Sequence, residues 1–359
     1  MRRKSYEIDM CSGPLFPKIL LFSIPLMISS ILQLLFNAAD MVVVGRFAGS
    51  TALAEVGANA SLINLLTNLF IGFSVGANVL VARFYGAGKE KDISETVHSA
   101  MVLSVVCGLG LMIFGMLVAP QILVMMGTPA DVLNQAVLYI RIYFAGMPVI
   151  LLYNFGSSIL RAVGDTQRPL YYLFAAGIIN ILLNLVFVIG FHLGVAGVAL
   201  ATVISQIVSA GLIFRCMMGM EGGCRVEWKN LALKKDKVIQ IIRIGLPAGL
   251  QGTVFSLSNV LIQSSVNSFG SVAMAGNTAA SNIEGFIYMA MNACHQTALS
   301  FTSQNFGAGK WKRIGKVLIE CLGMVTCVGL SMGWTAYLLG PQLLGIYSSD
   351  PKVIEVGML

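Results

Sequence analysis

The stretch Ile31 to Gly45, ILQLLFNAADMVVVG, sets one carboxylate, Asp40, inside a hydrophobic run long enough to cross a bilayer. An acid at membrane depth costs roughly 2.5 to 3.5 kcal/mol, so it usually faces a polar cavity, a partner or an ion path. The alternative is a residue solvated among the outer headgroups. Met41 to Val44 continue the apolar run beyond it before Gly45 and Arg46. A carboxylate stripped of water favours its neutral form or a bound cation, the chemistry of H⁺ or Na⁺ exchange. Asn180 and Asn184, in INILLN, are four apart and share one helix face. Their carbonyl oxygens can take a cation, or their amides can bond a neighbouring helix. Tyr139 and Thr202 add polar groups in other spans of the same half. Farther on, Glu284 is the one acid well inside its span. Asn282 and Gln296, 14 residues apart and so on one side of that helix, join it as cavity candidates, as does Asn37.

Other chemistries lack their residues. The two GAGK segments miss the phosphate-loop spacing, because Arg83 and Gln304 stand where the first glycine belongs and Glu90 and Trp311 replace Ser/Thr. Their glycines are expected to end helices in left-handed conformations, with lysines against the helix C-terminal dipoles. His98, His192 and His295 are far apart, which argues against zinc. The seven cysteines include no C-x-x-C pair, and no nucleophile signature occurs. No enzyme, resident cofactor or metal site is expected, apart from Na⁺ at Asp40.

The elements that must position these residues are membrane spans. Hydrophobic residues make up 57% of the 359 and charged residues 11%, and mean hydropathy is +0.82, so this is a polytopic all-α membrane protein. The net charge of +7 does not form a basic and aromatic face, so nucleic acid is not the partner; membrane lipid is. A span needs about 20 apolar residues. Ten are predicted, at 16–44, 54–82, 95–118, 132–157, 169–190, 196–217, 243–266, 274–304, 315–339 and from about 351. Pro25, Pro148 and Pro247 fall inside spans and predict kinks. With the N-terminus cytoplasmic, 20 of the 23 Lys and Arg fall on the inside, leaving Arg46, Lys352 and Arg141, the last either snorkelling outward or pairing with an acid. Glu320 is expected to neutralise the Lys310 to Lys316 cluster.

An internal repeat organises the chain. RFYGAGKEK at Arg83 to Lys91 returns as QNFGAGKWK at Gln304 to Lys312, 221 residues later. Ala52, Ala54 and Ala58, Gly108 and Pro120-Gln121 recur at the same offset, and Pro25 meets Pro247 with a slip of one. Six spans per copy, an even number, give both copies the same membrane orientation. The expected architecture is two six-helix bundles: 1–218, a cytoplasmic linker 219–240 with a surface helix, and a partial second bundle 241–359. Leu359 lies 221 residues after Leu138, so about three further spans are expected to follow, and the isolated chain is expected to insert but transport poorly.

With these pieces assembled, the chain resembles the multidrug and toxic compound extrusion (MATE) family. NAADMVVVGRFAG, the FYGAGK and FGAGK turns, NILLN and SNIEGFIYMAMNACHQTALSFTSQNFGAGK carry the resemblance across its whole length. The resemblance implies a twelve-helix, V-shaped, monomeric exporter in the plasma membrane that couples Na⁺ or H⁺ influx to removal of small cationic or amphiphilic compounds. By motif it places the coupling ion at Asp40, with Asn180, Asn184, Thr202 and Tyr139 around it. Many members carry Asp where Asn184 stands, and some carry an acid early in helix 7, where Gln251 to Ser258 has none. A lipid-linked oligosaccharide flippase of the same superfamily is the competing reading, disfavoured by spans nearly free of Lys and Arg. The topology makes a direct prediction: Cys11, Cys216 and Cys224 stay unlabelled by an impermeant thiol reagent applied outside intact cells, and labelling of any of them overturns the map.

Overall fold

The computed structural model describes residues 6–48, 50–125, 130–267, 269, 271–347 and 350–358. They fold into helices α1 Leu15–Val43, α2 Ser50–Gly86, α3 Glu90–Met125, α4 Ala130–Ala145, α5 Met147–Ala162, α6 Gln167–Leu185, α7 Gly194–Met218, α8 Lys235–Asn267, α9 Ser271–Gly307, α10 Trp311–Leu338, α11 Gly340–Tyr347 and α12 Pro351–Gly357. Among the described residues seven helices are long and apolar enough to cross a membrane, and eight if α4 and α5 count as one bent span. Helices are the form in which such a segment pairs its own backbone groups away from water.

Several expectations are corrected. The fourth span is broken: Leu133–Ala145 and Met147–Ala162 meet at 47°, with Gly146 at the joint and Pro148 in the first turn of α5, where a proline costs no hydrogen bond. Pro25 and Pro247 instead lie inside the single helices α1 and α8. Pro120, placed beyond the third span, is inside α3, which runs on to Met125. Its counterpart Pro341 opens the separate short helix α11, which the sequence did not announce. The expected surface helix after α7 is two 3₁₀ turns, Gly222–Cys224 and Trp228–Asn230. That segment is pinned to α3: Gly223 N donates to Glu90 Oε2 at 2.5 Å, Glu227 N to His98 Nε2 at 3.0 Å and Lys234 N to Ser99 Oγ at 3.0 Å. Glu320 makes no ion pair among the described residues, and its Oε2 is buried without a hydrogen bond, on the face of α10 turned to α9 rather than toward the lysines.

The repeat survives in three dimensions. α2, α3 and α4 begin at 50, 90 and 130, and α9, α10 and α12 begin 221 residues on, at 271, 311 and 351. The turns behave as expected, with Gly88 at φ +66° and Gly309 at φ +68° ending the two GAGK helices.

The two halves meet through small residues. Both G-x-x-x-G pairs, Gly72 and Gly76 on α2 and Gly245 and Gly249 on α8, lie in one crossing, so close that a Cβ on Gly245 would stand 2.6 Å from Gly72 O. At the GAGK end the contact is reciprocal: a Cβ on Gly86 would strike Gln304 O, and one on Gly307 would strike Arg83 O. These residues are 83 and 86 against 304 and 307, so the contact is a local two-fold between repeats. Buried polar pairs line the same seam: Ser23 Oγ and Thr297 Oγ1 at 2.9 Å, Ser300 Oγ donating to Asn78 Oδ1 at 3.3 Å, and Gln304 Nε2 to Ala162 O at 2.6 Å.

The chain before α1 straps this end shut. Ile8 N donates to Gly164 O at 3.3 Å on the first half, and Met10 is fully buried against Phe301 and Val317 of the second. Arg313 donates to the carbonyls of Met10, Ser12 and Gly13 at 2.9 to 3.1 Å, and Lys310 to Cys11 O at 2.8 Å. A hydrogen bond from the Ser12 hydroxyl holds the Asp9 carboxyl below its usual range, fixing the bend. Toward the opposite end, Phe255, Leu261 and Ile262 of α8 are exposed. Gly86→Ala is therefore expected to lower stability by about 1 to 3 kcal/mol, since backbone must move. Gly315→Ala on α10, with open space around it, should be neutral or gain up to about 1 kcal/mol from helix propensity. Thermal unfolding in detergent distinguishes them, and equal midpoints would refute the contact.

Candidate functional site

Asp40 lies near the end of α1, one turn before a π-helical turn, Val44–Ala48, and Asn184 lies near the end of α6, just before a second π turn, Val186–Gly190. The two π turns touch each other. Each is entered by an amide shared between two carbonyls: Val44 N–H with Asp40 O and Met41 O, Val186 N–H with Leu182 O and Leu183 O. Widened turns of this kind are concentrated at functional sites, because they re-aim the side chains of the preceding turn. Below them α1 and α6 pack closely, and the ring of Phe36 fills the space a Cβ on Gly177 would occupy.

The geometry links four of the five residues the sequence nominated. Asn184 Nδ2 donates to Asp40 Oδ1 at 2.5 Å and lies 3.3 Å from Asn180 Oδ1. Asn180 Nδ2 donates to Thr202 Oγ1 at 3.4 Å, and Thr202 Oγ1 donates to Val198 O at 3.0 Å within α7. The chain Asp40, Asn184, Asn180, Thr202 thus spans α1, α6 and α7. Asn184 is fully buried, and its Oδ1 accepts nothing from any described residue. A buried amide oxygen without a donor is costly, typically about 1 to 3 kcal/mol, and is the kind of group a bound cation satisfies. Tyr139, also buried, stands near enough to feel the charge of Asp40 without a hydrogen bond to it.

One residue was missed. Tyr143 also feels the charge of Asp40, and its ring stacks on Tyr139 with centroids 6.3 Å apart. The four-residue spacing of the two tyrosines on α4 was the available signal. The second-half candidates do not join this cluster: Glu284, Asn282 and Asn37 are exposed, Gln296 is half-buried, and none bonds the Asp40 group among the described residues. Arg141 is exposed and unpaired among them, which favours its outward option. No group of three or more His, Cys, Asp or Glu placed to hold a metal occurs among the described residues.

An arrangement of one carboxylate, two amides and a hydroxyl offers only oxygen ligands and no cationic side chain. It can hold a small hard cation or a proton, and it has no nucleophile poised beside a base.

Comparison with known proteins agrees with this architecture. The family described as MatE matches residues 25–186 and 247–358. The Bacillus subtilis protein YoeA, named a probable multidrug resistance protein, is 28% identical over 343 residues, covering 94% of this chain and 74% of its own length. The multidrug export protein MepA of Staphylococcus aureus strain NCTC 8325 is 23% identical, covering 96% of this chain and 76% of its own. Among solved structures, the outward-facing conformation of a multidrug resistance MATE family transporter of the MOP superfamily superposes with a TM-score of 0.92. It is 22% identical and covers 99% of this chain and 80% of that one, a likeness of fold.

Proposed function

The chain belongs to the MatE family, and on that premise we propose that it is a secondary active multidrug exporter of the plasma membrane, its N-terminus cytoplasmic. It moves small cationic or amphiphilic compounds outward by alternating access between its two halves. Relatives named for multidrug resistance and multidrug export support the cargo class. The absence of any cation among the described side chains around Asp40 supports a positively charged cargo over the pyrophosphate headgroup a flippase would carry.

The coupling step rests on one observation, the orphaned Oδ1 of Asn184 beside the Asp40 carboxylate. Where two carboxylates face each other they can share a proton. Here the second group is an amide, which cannot titrate but supplies an oxygen. Asp40, Asn184 Oδ1, Asn180 Oδ1 and Thr202 Oγ1 then form an oxygen set suited to Na⁺, and we read the coupling ion as Na⁺. Na⁺ binding would draw Asn184 Oδ1 toward the ion and release Nδ2 from Asp40, repacking α6 against α1. Two halves stapled together at the GAGK end and exposed along α8 toward the other suit the outward-open member of the cycle.

Proteoliposome efflux of a cationic dye tests this. Asp40→Asn is expected to abolish ion-driven efflux with insertion and expression intact, and unchanged efflux in that variant removes Asp40 from the mechanism. Asn184→Asp restores a carboxylate pair and is expected to shift the driving force from a Na⁺ gradient toward an H⁺ gradient. A wild-type protein driven by H⁺ alone, with Na⁺ without effect, overturns the choice of ion.

A further inference from the structure

A second polar cavity lies away from the Asp40 cluster, at the end that carries the GAGK turns. It measures about 330 Å³ and is lined by Arg168, Tyr172, Leu212, Arg215, Cys216 and Gly219. Two helix faces make it: Arg168 and Tyr172, four apart on α6, oppose Leu212, Arg215, Cys216 and Gly219, which recur every three or four residues along α7 and its end. Leu212 is the one large aliphatic side chain in the lining.

Its two guanidiniums are held differently. Arg168 is fixed in place: Nε pairs with the Asp165 carboxylate, NH1 donates to Cys216 Sγ at 3.3 Å, and the group lies over the Tyr6 ring at 5.4 Å from its centroid. Asp165 offsets that charge and also accepts from the backbone amides of Gln167 and Arg168, so the α6 N-terminus is already capped. Arg215 is exposed and has no carboxylate within 4.0 Å among the described residues. The cavity therefore carries one uncompensated positive charge beside a preorganised guanidinium and the Tyr172 hydroxyl, which lies within reach of Cys216. A planar guanidinium matches a phosphate by two parallel hydrogen bonds.

The surroundings choose among phosphates. Along the same helices, toward the membrane middle, Tyr171, Phe174 and Ile178 of α6 and Ile207 of α7 are exposed apolar side chains. On a membrane helix such faces meet acyl chains, and basic pockets between spans at the cytoplasmic interface suit lipid headgroups. One net charge, open on one side, holds a free anion from water poorly. A phosphate tethered to two acyl chains arrives already concentrated at that level. We propose that this groove is a binding site for the phosphate headgroup of an anionic phospholipid of the inner leaflet, with Arg215 and Arg168 as its ligands. The sequence reading placed lipid contact on the linker; this site is a formed groove on the first half. It depends on the chain lying in a membrane, not on the transport proposal.

The test uses the full purified chain in micelles holding equal amounts of phosphatidylglycerol and phosphatidylcholine with identical acyl chains, read by native mass spectrometry. Wild type is expected to retain phosphatidylglycerol in preference. Arg215→Ala should lower that retention about fivefold, the loss of one cation near the membrane surface, with phosphatidylcholine retention and thermal unfolding unchanged. Arg215→Lys should recover part of it, since charge remains but the planar fork does not. Lys229→Ala, which removes the same charge from the exposed 3₁₀ turn Trp228–Asn230 at the same end, should leave retention as in wild type. Equal retention of the two lipids by wild type, or an equal loss in Arg215→Ala and Lys229→Ala, overturns the site. Full displacement of the lipid by inorganic phosphate also overturns it, assigning the groove to a soluble anion.

Discussion

Close approach of helix backbones at the junction of the two halves is the constraint the rest of this structure depends on. Between helices in a membrane no hydrophobic force drives association, so contact must come from packing and hydrogen bonds, and both need short distances. Gly72, Gly76, Gly245 and Gly249 supply them on one side of the seam. Ser23 and Thr297 supply them on the other. These are equivalent places: Thr297 is the repeat partner of Gly76, and Gly245 that of Ser23 with the same one-residue slip that relates Pro25 to Pro247. One copy of the crossing is made by bare backbone and the other by a buried hydroxyl pair. A junction built this way is tight but small, and two rigid halves can rock about it.

The ends of the junction differ in strength. At the GAGK turns, backbone contacts, amide bonds to carbonyls and the strap before α1 all act together, and Arg313 alone engages three carbonyls. An arrangement of this kind is cooperative, because each bond is made by groups the others have already ordered. Opening that end requires the strap to leave Met10's pocket as well as the helices to separate.

The Asp40 cluster, by contrast, sits within one half, between α1, α6 and α7. Its occupant can influence the seam because α1 takes part in both: Ser23 bonds the second half and Asp40, on the same helix, bonds Asn184. A change of partner at Asp40 that shifts α1 along its axis is felt at Ser23. That is a physical link between ion and opening, carried by one continuous helix that keeps its course through Pro25.

Much of this was written in the sequence, and for definite reasons. Hydropathy located the spans, because a segment in lipid must be both long and apolar. The 221-residue repeat fixed the parallel relation of the two copies and even the starts of α9, α10 and α12. Asp40, Asn180 and Asn184 stood out because polar groups are rare in such segments. Backbone and partner choice could not be read. Pro120 stays inside α3 while its repeat partner Pro341 opens a separate helix, although the dipeptide is the same. Glu320 faces inward, away from the lysines a few residues before it, because a helix turns a side chain to the face its packing dictates. The two π turns leave no mark in composition, yet they stand directly after the residues they aim. Only the tertiary structure decided which oxygen of Asn184 lacks a donor, since that depends on three helices arriving together at distances no single segment encodes.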